Sequence, residues 1–172
     1  MGKKKKSHIY LIGFMGTGKS TVSKTLKELL RWKEIEMDDE IVRECGMEIP
    51  AIFEKYGENY FRDRETELLR KIAGEGAAIV SCGGGAVLRR ENLEIMKDSG
   101  IIVLLSAKPE TVYQRVKGNS SRPLLKDRMS VAGIAELMEQ RREAYESACD
   151  RIVATDHKTP LQIGKEIVEL IR

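Results

Sequence analysis

Gly13-Phe14-Met15-Gly16-Thr17-Gly18-Lys19-Ser20 fits the pattern G-x-x-x-x-G-K-[ST], which is a phosphate-binding loop. The apolar run at 9–12 reads as a strand, and residues 21–30 have helical spacing. A strand, a glycine-rich loop and a helix in this order are the context that supports the motif. The alternative, an ordinary glycine-rich turn between a strand and a helix, is disfavoured because both neighbours sit where a phosphate loop needs them.

Each residue type in the loop has a physical reason. Gly13 and Gly18 allow positive φ and let the backbone approach a ligand with no Cβ in the way. The loop N–H groups then form an anion nest, and the helix N-terminus adds partial positive charge. Lys19 brings a full charge to the β- and γ-phosphates, and the Ser20 hydroxyl is a hard oxygen ligand suited to Mg²⁺. The segment therefore predicts nucleotide binding.

Length and composition narrow the class of protein. The 172 residues are enough for one domain with a proper core, so we predict a single domain over 1–172. Hydrophobic residues at 41% and charged residues at 33% are typical of a soluble protein. A net charge of +3 is too small to indicate a nucleic-acid partner. No apolar run is long enough to span a membrane and no signal peptide is evident, so a cytoplasmic protein is expected.

Basic and sulfur-containing residues add little chemistry. The four lysines at 3–6 lie in a tail, 1–7, that we predict to be flexible and solvated; a nucleic-acid patch is the alternative. The three cysteines, Cys45, Cys82 and Cys149, are far apart in the sequence, and so are the two histidines. This spacing favours a reducing compartment and argues against a zinc site.

Apolar runs alternate with helical segments along the chain. The predicted strands are 8–12, 34–37, 77–82, 101–106 and 151–154, and the predicted helices are 19–30, 39–45, 49–56, 59–73, 90–98, 109–117, 131–149 and 160–171. This alternation predicts a three-layer α/β/α fold with a five-stranded parallel sheet. One polar stretch, about 118–130, departs from it, and we predict a mobile lid over the nucleotide. An ordinary mobile surface loop is the alternative.

Carboxylates follow the second predicted strand. Strand alternation would place Glu36 and Asp38 on one side, at the edge of the sheet where ligands bind. One carboxylate would then hold a metal-bound water, and the other would accept a proton from an attacking hydroxyl. Alternatively, Asp38 or Asp39 caps the next helix.

Two further groups bear on the acceptor. Arg62 and Glu65 are neighbours at i, i+3 on a predicted helix, where a surface ion pair is a sufficient account. The triple glycine at 83–85 follows the third strand and can bring backbone N–H groups close to a small anionic or hydroxylated ligand. A loose turn is the alternative there.

Together these pieces resemble the shikimate kinase family from about His8 to the end of the chain. The matching segments are G-F-M-G-T-G-K-S-T at the loop, E-M-D-D-E-I for the family's D-x-D element, F-R-x-x-E at Phe61, Arg62 and Glu65, G-G-G at 83–85, R-P-L-L at 122–125, and R-R-E-A-Y at 141–145 for R-x-P-x-Y. Apart from the phosphate loop, no single motif is specific for the family. The order and spacing of the motifs on one chain are specific for it.

The resemblance implies a reaction and its site. The reaction is transfer of the γ-phosphoryl of ATP to the 3-hydroxyl of shikimate, with Mg²⁺, by a cytoplasmic monomer in aromatic amino-acid biosynthesis. The implied nucleotide contacts are Gly16, Thr17, Gly18, Lys19, Ser20, Thr21, Arg115 and Arg122; the implied shikimate contacts are Asp38, Arg62, Gly83, Gly84, Gly85 and Arg141; the implied metal ligands are Ser20 and Glu36. Catalysis would fall to Lys19, Asp38 and Arg122.

The resemblance also gives several of these residues specific tasks. Arg62 and Arg141 suit a small carboxylate, because a guanidinium pairs with it bidentately. Asp38 would hydrogen-bond the hydroxyl that receives phosphate. Arg122 would reach from the lid to offset charge as the γ-phosphoryl leaves, and Arg115 would lie against the adenine.

The chain departs from the family pattern at two positions. Glu36 stands for the first Asp of D-x-D, and its extra methylene moves the carboxylate by about 1.5 Å. Glu143 stands where the family usually has Pro, and we expect only a local effect on the helix. Gluconate kinases and nucleoside monophosphate kinases share the loop, size and lid, and an inactive nucleotide-binding paralogue is a further alternative. A GTPase switch is disfavoured, because the chain has no Asn-Lys-x-Asp element.

Overall fold

Strands and helices alternate along the computed structural model, which describes residues 7–117 and 129–172. The elements are β1 His8–Ile12, α1 Lys19–Leu30, β2 Lys33–Glu36, α2 Met37–Cys45, α3 Ile49–Tyr56, α4 Glu58–Ala73, β3 Ala78–Ser81, a 3₁₀ helix Ala86–Leu88, α5 Arg90–Ser99, β4 Gly100–Ser106, α6 Pro109–Val116, α7 Val131–Ala148, β5 Arg151–Ala154 and α8 Pro160–Ile171. Within these ranges no helix is both long and apolar enough to cross a membrane.

The five strands form one sheet in the order β2-β3-β1-β4-β5, and every pairing is parallel. The predicted α/β/α fold with a five-stranded parallel sheet is confirmed. Because all strands run the same way, their carboxyl ends meet at one edge, where ligands bind in such sheets. β1 lies at the centre, so the loop that follows it opens beside the loops after β3 and β4.

The two faces of the sheet bury separate apolar layers. In β1, Tyr10 and Ile12 point into the layer under α2 to α7, and Ile9 and Leu11 into the layer under α1 and α8. Strand alternation explains this division, because successive side chains point to opposite faces. Trp32, which follows α1, is half-buried against the second layer.

The second strand differs from its prediction. β2 ends at Glu36 and α2 begins at Met37, so Asp38 lies in the first turn of a helix and not on a strand. Three acidic residues in that turn favour a helix start through the helix dipole, and this preference outweighs the strand pattern. The capping alternative is also wrong, because Glu36 is the N-cap residue and makes no side-chain capping bond.

The remaining differences are small. The 3₁₀ helix Ala86–Leu88 was not predicted, and several other boundaries move by one or two residues. Of the predicted tail, residues 1–6 lie outside the described ranges, and so do residues 118–128 of the predicted lid, with Arg122. Ser130, the last residue of that predicted lid, caps α7 by accepting a hydrogen bond from the Gly133 N–H at 3.0 Å.

Candidate active site

The phosphate loop has the backbone that its glycines predict. Gly13 has φ 149° and Gly18 has φ 97°, as expected, and Gly16 also has a positive φ, 78°. A Cβ on Gly16 would lie 2.8 Å from Val116 Cγ1, so a side chain is excluded there both by backbone conformation and by space. The Thr17 hydroxyl donates to the Phe14 carbonyl at 2.7 Å and closes the loop from inside.

Lys19 lies across this loop. Its ammonium group donates to the Gly13 carbonyl at 2.6 Å and also lies 3.3 Å from the Phe14 carbonyl. Gly18, the N-cap of α1, has no side chain to cover the end of the helix. The first N–H groups of α1 therefore have no side-chain cap, which suits an anion such as phosphate at this end of the helix.

Arg115 on α6 braces the loop from the other side. Its Nη1 donates to the Gly16 carbonyl at 3.0 Å and to the Thr155 hydroxyl at 3.1 Å, and its Nη2 donates to the Thr155 carbonyl at 3.3 Å. Thr155 follows β5 and is fully buried. The structure thus joins Arg115 to the loop, and its contact with adenine stays a prediction.

Glu36 ends β2 beside the first turn of α1. Burial raises the pKa of its carboxyl, hydrogen bonds from the Ser20 and Ser81 hydroxyls oppose the shift, and nearby Asp39 and Glu34 add to it. Its Oε1 is buried and has no hydrogen-bond partner among the described residues. A carboxylate oxygen with spare capacity next to a serine hydroxyl fits a hard cation such as Mg²⁺.

The surroundings of Glu36 also fit the way in which Mg²⁺ is held. Among the described residues no group of three or more His, Cys, Asp or Glu side chains is placed to bind a metal. Mg²⁺ is commonly bound by one or two protein ligands together with water and substrate phosphates, and does not need an all-protein cage. The pairing of Ser20 with Glu36 meets that requirement.

Asp38 and Glu65 converge on the first glycine after β3. A Cβ on Gly83 would lie 2.8 Å from Asp38 Oδ1 and 2.9 Å from Glu65 Oε2. Only glycine allows both carboxylates to come this close. Asp38 reaches the position from the first turn of α2, so the predicted residue arrives at the site by a route other than strand alternation.

Arg62 and Glu65 form an ion pair, but the pair is buried, so the surface location considered from the sequence is wrong. Arg62 Nη1 donates to Glu65 Oε1 at 2.6 Å, and the two side chains are 16% and 0% exposed. Burial raises the pKa of the Glu65 carboxyl, the Arg62 guanidinium opposes this, and Asp38 adds to it. The guanidinium lies so close over Gly85 that a Cβ there would overlap it.

Arg141 and Tyr145 hold the same glycine turn from α7. Arg141 Nη1 donates to the Gly84 carbonyl at 2.8 Å, and the Tyr145 hydroxyl donates to the same oxygen at 2.6 Å. Burial raises the pKa of Tyr145, and Arg141 opposes the shift. The turn is therefore fixed, and the loose-turn alternative is wrong.

Two residues with clear roles in this geometry were not predicted as site residues. Glu65 anchors Arg62, and Tyr145 anchors Gly84. Both residues occur in the quoted motifs, as the last letters of F-R-x-x-E and R-x-P-x-Y, and the motifs were the sequence signal that could have identified them. Their anchoring roles depend on burial and hydrogen bonds, which the motifs do not encode.

The fold and the site together define a class of protein. A phosphate loop follows the central strand of a parallel α/β/α sheet, and carboxylates and guanidinium groups lie beside it at the ends of β2 and β3. This is a kinase of the phosphate-loop type.

Comparisons with known proteins narrow the class. The family profile described as "Shikimate kinase" matches residues 15–172. A shikimate kinase of Persephonella marina is 44% identical, with 96% of this chain and 99% of that protein covered. One from Geobacter sulfurreducens is 39% identical over 96% of this chain and 91% of its own length. The solved structure of the Acinetobacter baumannii shikimate kinase in complex with shikimate has a TM-score of 0.89 at 35% identity, covering 97% of this chain and 93% of that one.

The chain belongs to the shikimate kinase family. This confirms the resemblance drawn from the motifs.

Proposed function

We propose that this protein transfers the γ-phosphoryl group of ATP to the 3-hydroxyl of shikimate, giving 3-phosphoshikimate and ADP. Family membership supports the reaction, and a related structure was solved with shikimate. The observation that carries the proposal for this chain is the pair of guanidinium groups, Arg62 and Arg141, that both contact the glycine turn beside Asp38. The two arginines offer positive charge for a carboxylate, and Asp38 beside them offers a hydrogen-bond acceptor for a hydroxyl.

The acceptor half works by positioning. Arg62 and Arg141 bind the carboxylate of shikimate, because a guanidinium presents paired N–H donors to two oxygens. Glu65 holds Arg62 in place through the 2.6 Å bond, which limits the rotamers the arginine must give up on binding. Asp38 accepts a hydrogen bond from the hydroxyl that receives phosphate. Since phosphoryl transfer passes through a loose transition state, orientation matters more than full proton removal.

The donor half works by electrostatics. The loop N–H groups, with Gly16, Thr17, Gly18 and Thr21, cradle the phosphates, and Lys19 turns from the loop carbonyls toward the β- and γ-phosphates. Ser20 and Glu36 would hold Mg²⁺, Glu36 through a water, and the ion would supply positive charge that offsets the charge of the phosphates. Arg122 adds positive charge at the γ-phosphoryl; it lies outside the described residues, and its role stays a prediction.

An ADP-release assay at fixed ATP and Mg²⁺ tests the proposal. Shikimate, gluconate, AMP and no acceptor are compared. We expect ADP release above background with shikimate alone. Release with gluconate or AMP in place of shikimate would assign another small-acceptor kinase. If no acceptor gives ADP release above background, the protein is an inactive paralogue.

Four properties of the whole molecule are still predictions from the sequence. They are a single domain over 1–172, a monomeric state, a cytoplasmic location and the lack of a nucleic-acid partner. Size-exclusion chromatography with light scattering tests the monomer directly.

A further inference from the structure

A fully buried amide connects three elements behind the acceptor half. Asn92, in the first turn of α5, donates through Nδ2 to the Ala86 carbonyl at 2.9 Å. Its Oδ1 lies 2.6 Å from the Thr66 hydroxyl on α4, which is also buried. A carbonyl oxygen only accepts, so the amide nitrogen must face Ala86 and the hydroxyl must donate to the amide oxygen. Both polar groups of the amide are therefore used.

The two ends of this bridge lie next to residues of the site. Ala86 directly follows the triple glycine, and its N–H donates to the Gly83 carbonyl at 3.2 Å. Thr66 lies one helical turn after Arg62, and its hydroxyl is 3.1 Å from the Arg62 carbonyl. The bridge thus joins the turn of α4 that carries Arg62 to the glycine turn that Arg62 covers.

The contact that the bridge spans has little tolerance. A methyl group on Gly85 would overlap the Arg62 guanidinium, so the guanidinium occupies space next to the turn that only glycine leaves open, and a displacement of α4 toward the turn would force the Arg62 side chain to move. A displacement in the other direction separates Arg62 from the turn that Arg141 holds on its other side. A directional hydrogen-bonded network limits both movements, whereas apolar contacts between the same elements would tolerate sliding.

Arg89 fixes the outer end of the bridge. Its Nη1 donates to Asp63 Oδ1 at 2.7 Å and to the Thr66 hydroxyl oxygen at 3.2 Å. The Thr66 oxygen therefore accepts one bond and donates another. The Asn92 amide is thus bonded through both its nitrogen and its oxygen, and the Thr66 hydroxyl both donates and accepts; buried polar groups paired in this way favour one geometry.

We infer that Asn92 and Thr66 are positioning residues for the acceptor: they fix the separation of Arg62 from the glycine turn and so set the affinity for the acceptor carboxylate. This inference rests on the proposed function. The two residues act through Arg62 and do not themselves touch the substrate.

The test compares substitutions at Thr66 that differ in one group. Thr66→Val keeps the shape and removes the hydroxyl, and Thr66→Ser keeps the hydroxyl. We expect Thr66→Val to raise the KM for shikimate about five- to tenfold, as for loss of one buried hydrogen bond, with the KM for ATP within about twofold of the original protein. Thr66→Ser should restore the KM for shikimate. Asn92→Leu should resemble Thr66→Val.

Ser99→Ala is the matched control, at the other end of α5. The Ser99 hydroxyl is buried in a similar way, 2.6 Å from the Tyr10 hydroxyl and 2.7 Å from the Ile95 carbonyl, at the amino edge of the sheet. It should lower the melting temperature about as much as Thr66→Val and leave the KM for shikimate unchanged.

Each outcome supports or overturns the inference. If Thr66→Val lowers the melting temperature without changing the KM for shikimate, the bridge is only structural and the inference is wrong. An equal rise of both KM values would also overturn it. An unmodified protein that does not phosphorylate shikimate would overturn the proposed function and this inference with it, whereas an active protein with unaffected variants overturns the inference alone. Should Asn92→Leu fail to fold, the Thr66 pair still decides.

Discussion

The donor half and the acceptor half of the site are built in different ways. The proposed donor half centres on one continuous segment, Gly13 to Ser20, which has three positive-φ glycines and one lysine. The acceptor half takes side chains from α2, α4 and α7 and arranges them around the turn after β3. One half is local in sequence; the other depends on long-range packing.

This difference governs how each half responds to change. A local loop of backbone donors is fixed largely by its own dihedral angles, so substitutions within it should alter its geometry more than distant ones do. Side chains that come from three different helices depend on every contact that sets their spacing. The acceptor half should therefore respond to substitutions at residues that never touch the substrate.

The largest effect should come from the one loop cation. Lys19→Ala is expected to lower kcat by at least about 100-fold, because it removes a charge that stabilises the transferring phosphoryl group. Calorimetry should give an unchanged Kd for shikimate, since the acceptor half does not include this residue. Lys24→Ala, exposed on the same helix, is the control and should be silent. Retained turnover in Lys19→Ala would remove the loop from the mechanism.

Arg62→Ala should produce the next largest effect, confined to the other half. We expect a loss of about 1.5–3 kcal/mol in shikimate binding, as for hydrogen bonds to charged groups, or roughly 10- to 150-fold in Kd. Calorimetry measures it, and ATP binding should not change. Arg64→Ala is the control, because Arg64 pairs with Glu44 and Glu67 on a different face of α4. Equal shikimate affinity in Arg62→Ala would refute the carboxylate role.

Gly85→Ala tests whether the acceptor half is set by spacing alone. Gly85 has φ −103° and ψ 3°, which alanine adopts, so the added methyl acts only by displacing the Arg62 guanidinium. The Kd for shikimate should rise about tenfold, since small misplacements of binding groups are costly. Gly76→Ala adds the same methyl where nothing lies within 4 Å, and it should bind shikimate normally. If both variants bind alike, the close packing of Arg62 has no functional weight.

Glu36→Asp should give the smallest effect, at the boundary between the halves. Shortening the side chain moves its carboxylate away from Ser20, so the Mg²⁺ concentration for half-maximal rate should shift about threefold. Mn²⁺ binding to the ADP complex, followed by spin resonance, provides a readout independent of turnover. Glu34→Asp makes the same change on the same strand as a control. Superimposable titrations would show that the extra methylene of Glu36 is silent.

The sequence predicted the backbone of the phosphate loop well and the arrangement of the acceptor half in part. The loop could be read residue by residue because its function depends on backbone conformation that local glycines encode. Asp38 was placed in the site for the wrong reason: the acidic first turn of α2 begins one residue after Glu36, and strand alternation does not extend to it. Local patterns on their own did not separate a strand end from a helix start there.

Burial was the main property that the sequence could not give. Arg62 and Glu65 at i, i+3 look like a surface pair, and only the packing of α4 against the glycine turn makes Glu65 fully buried. The same holds for Tyr145, whose hydroxyl meets a carbonyl 61 residues away in the chain. Such contacts depend on the order of strands in the sheet, which no local pattern encodes.

Trp32 gives the protein a built-in optical probe. It is the only tryptophan, and it follows a 12-residue helix that begins at the phosphate loop, about 18 Å away along the helix axis. Its indole is half-buried against the layer under α1 and α8. Tryptophan fluorescence therefore reports the packing of α1 and unfolding of this face of the sheet.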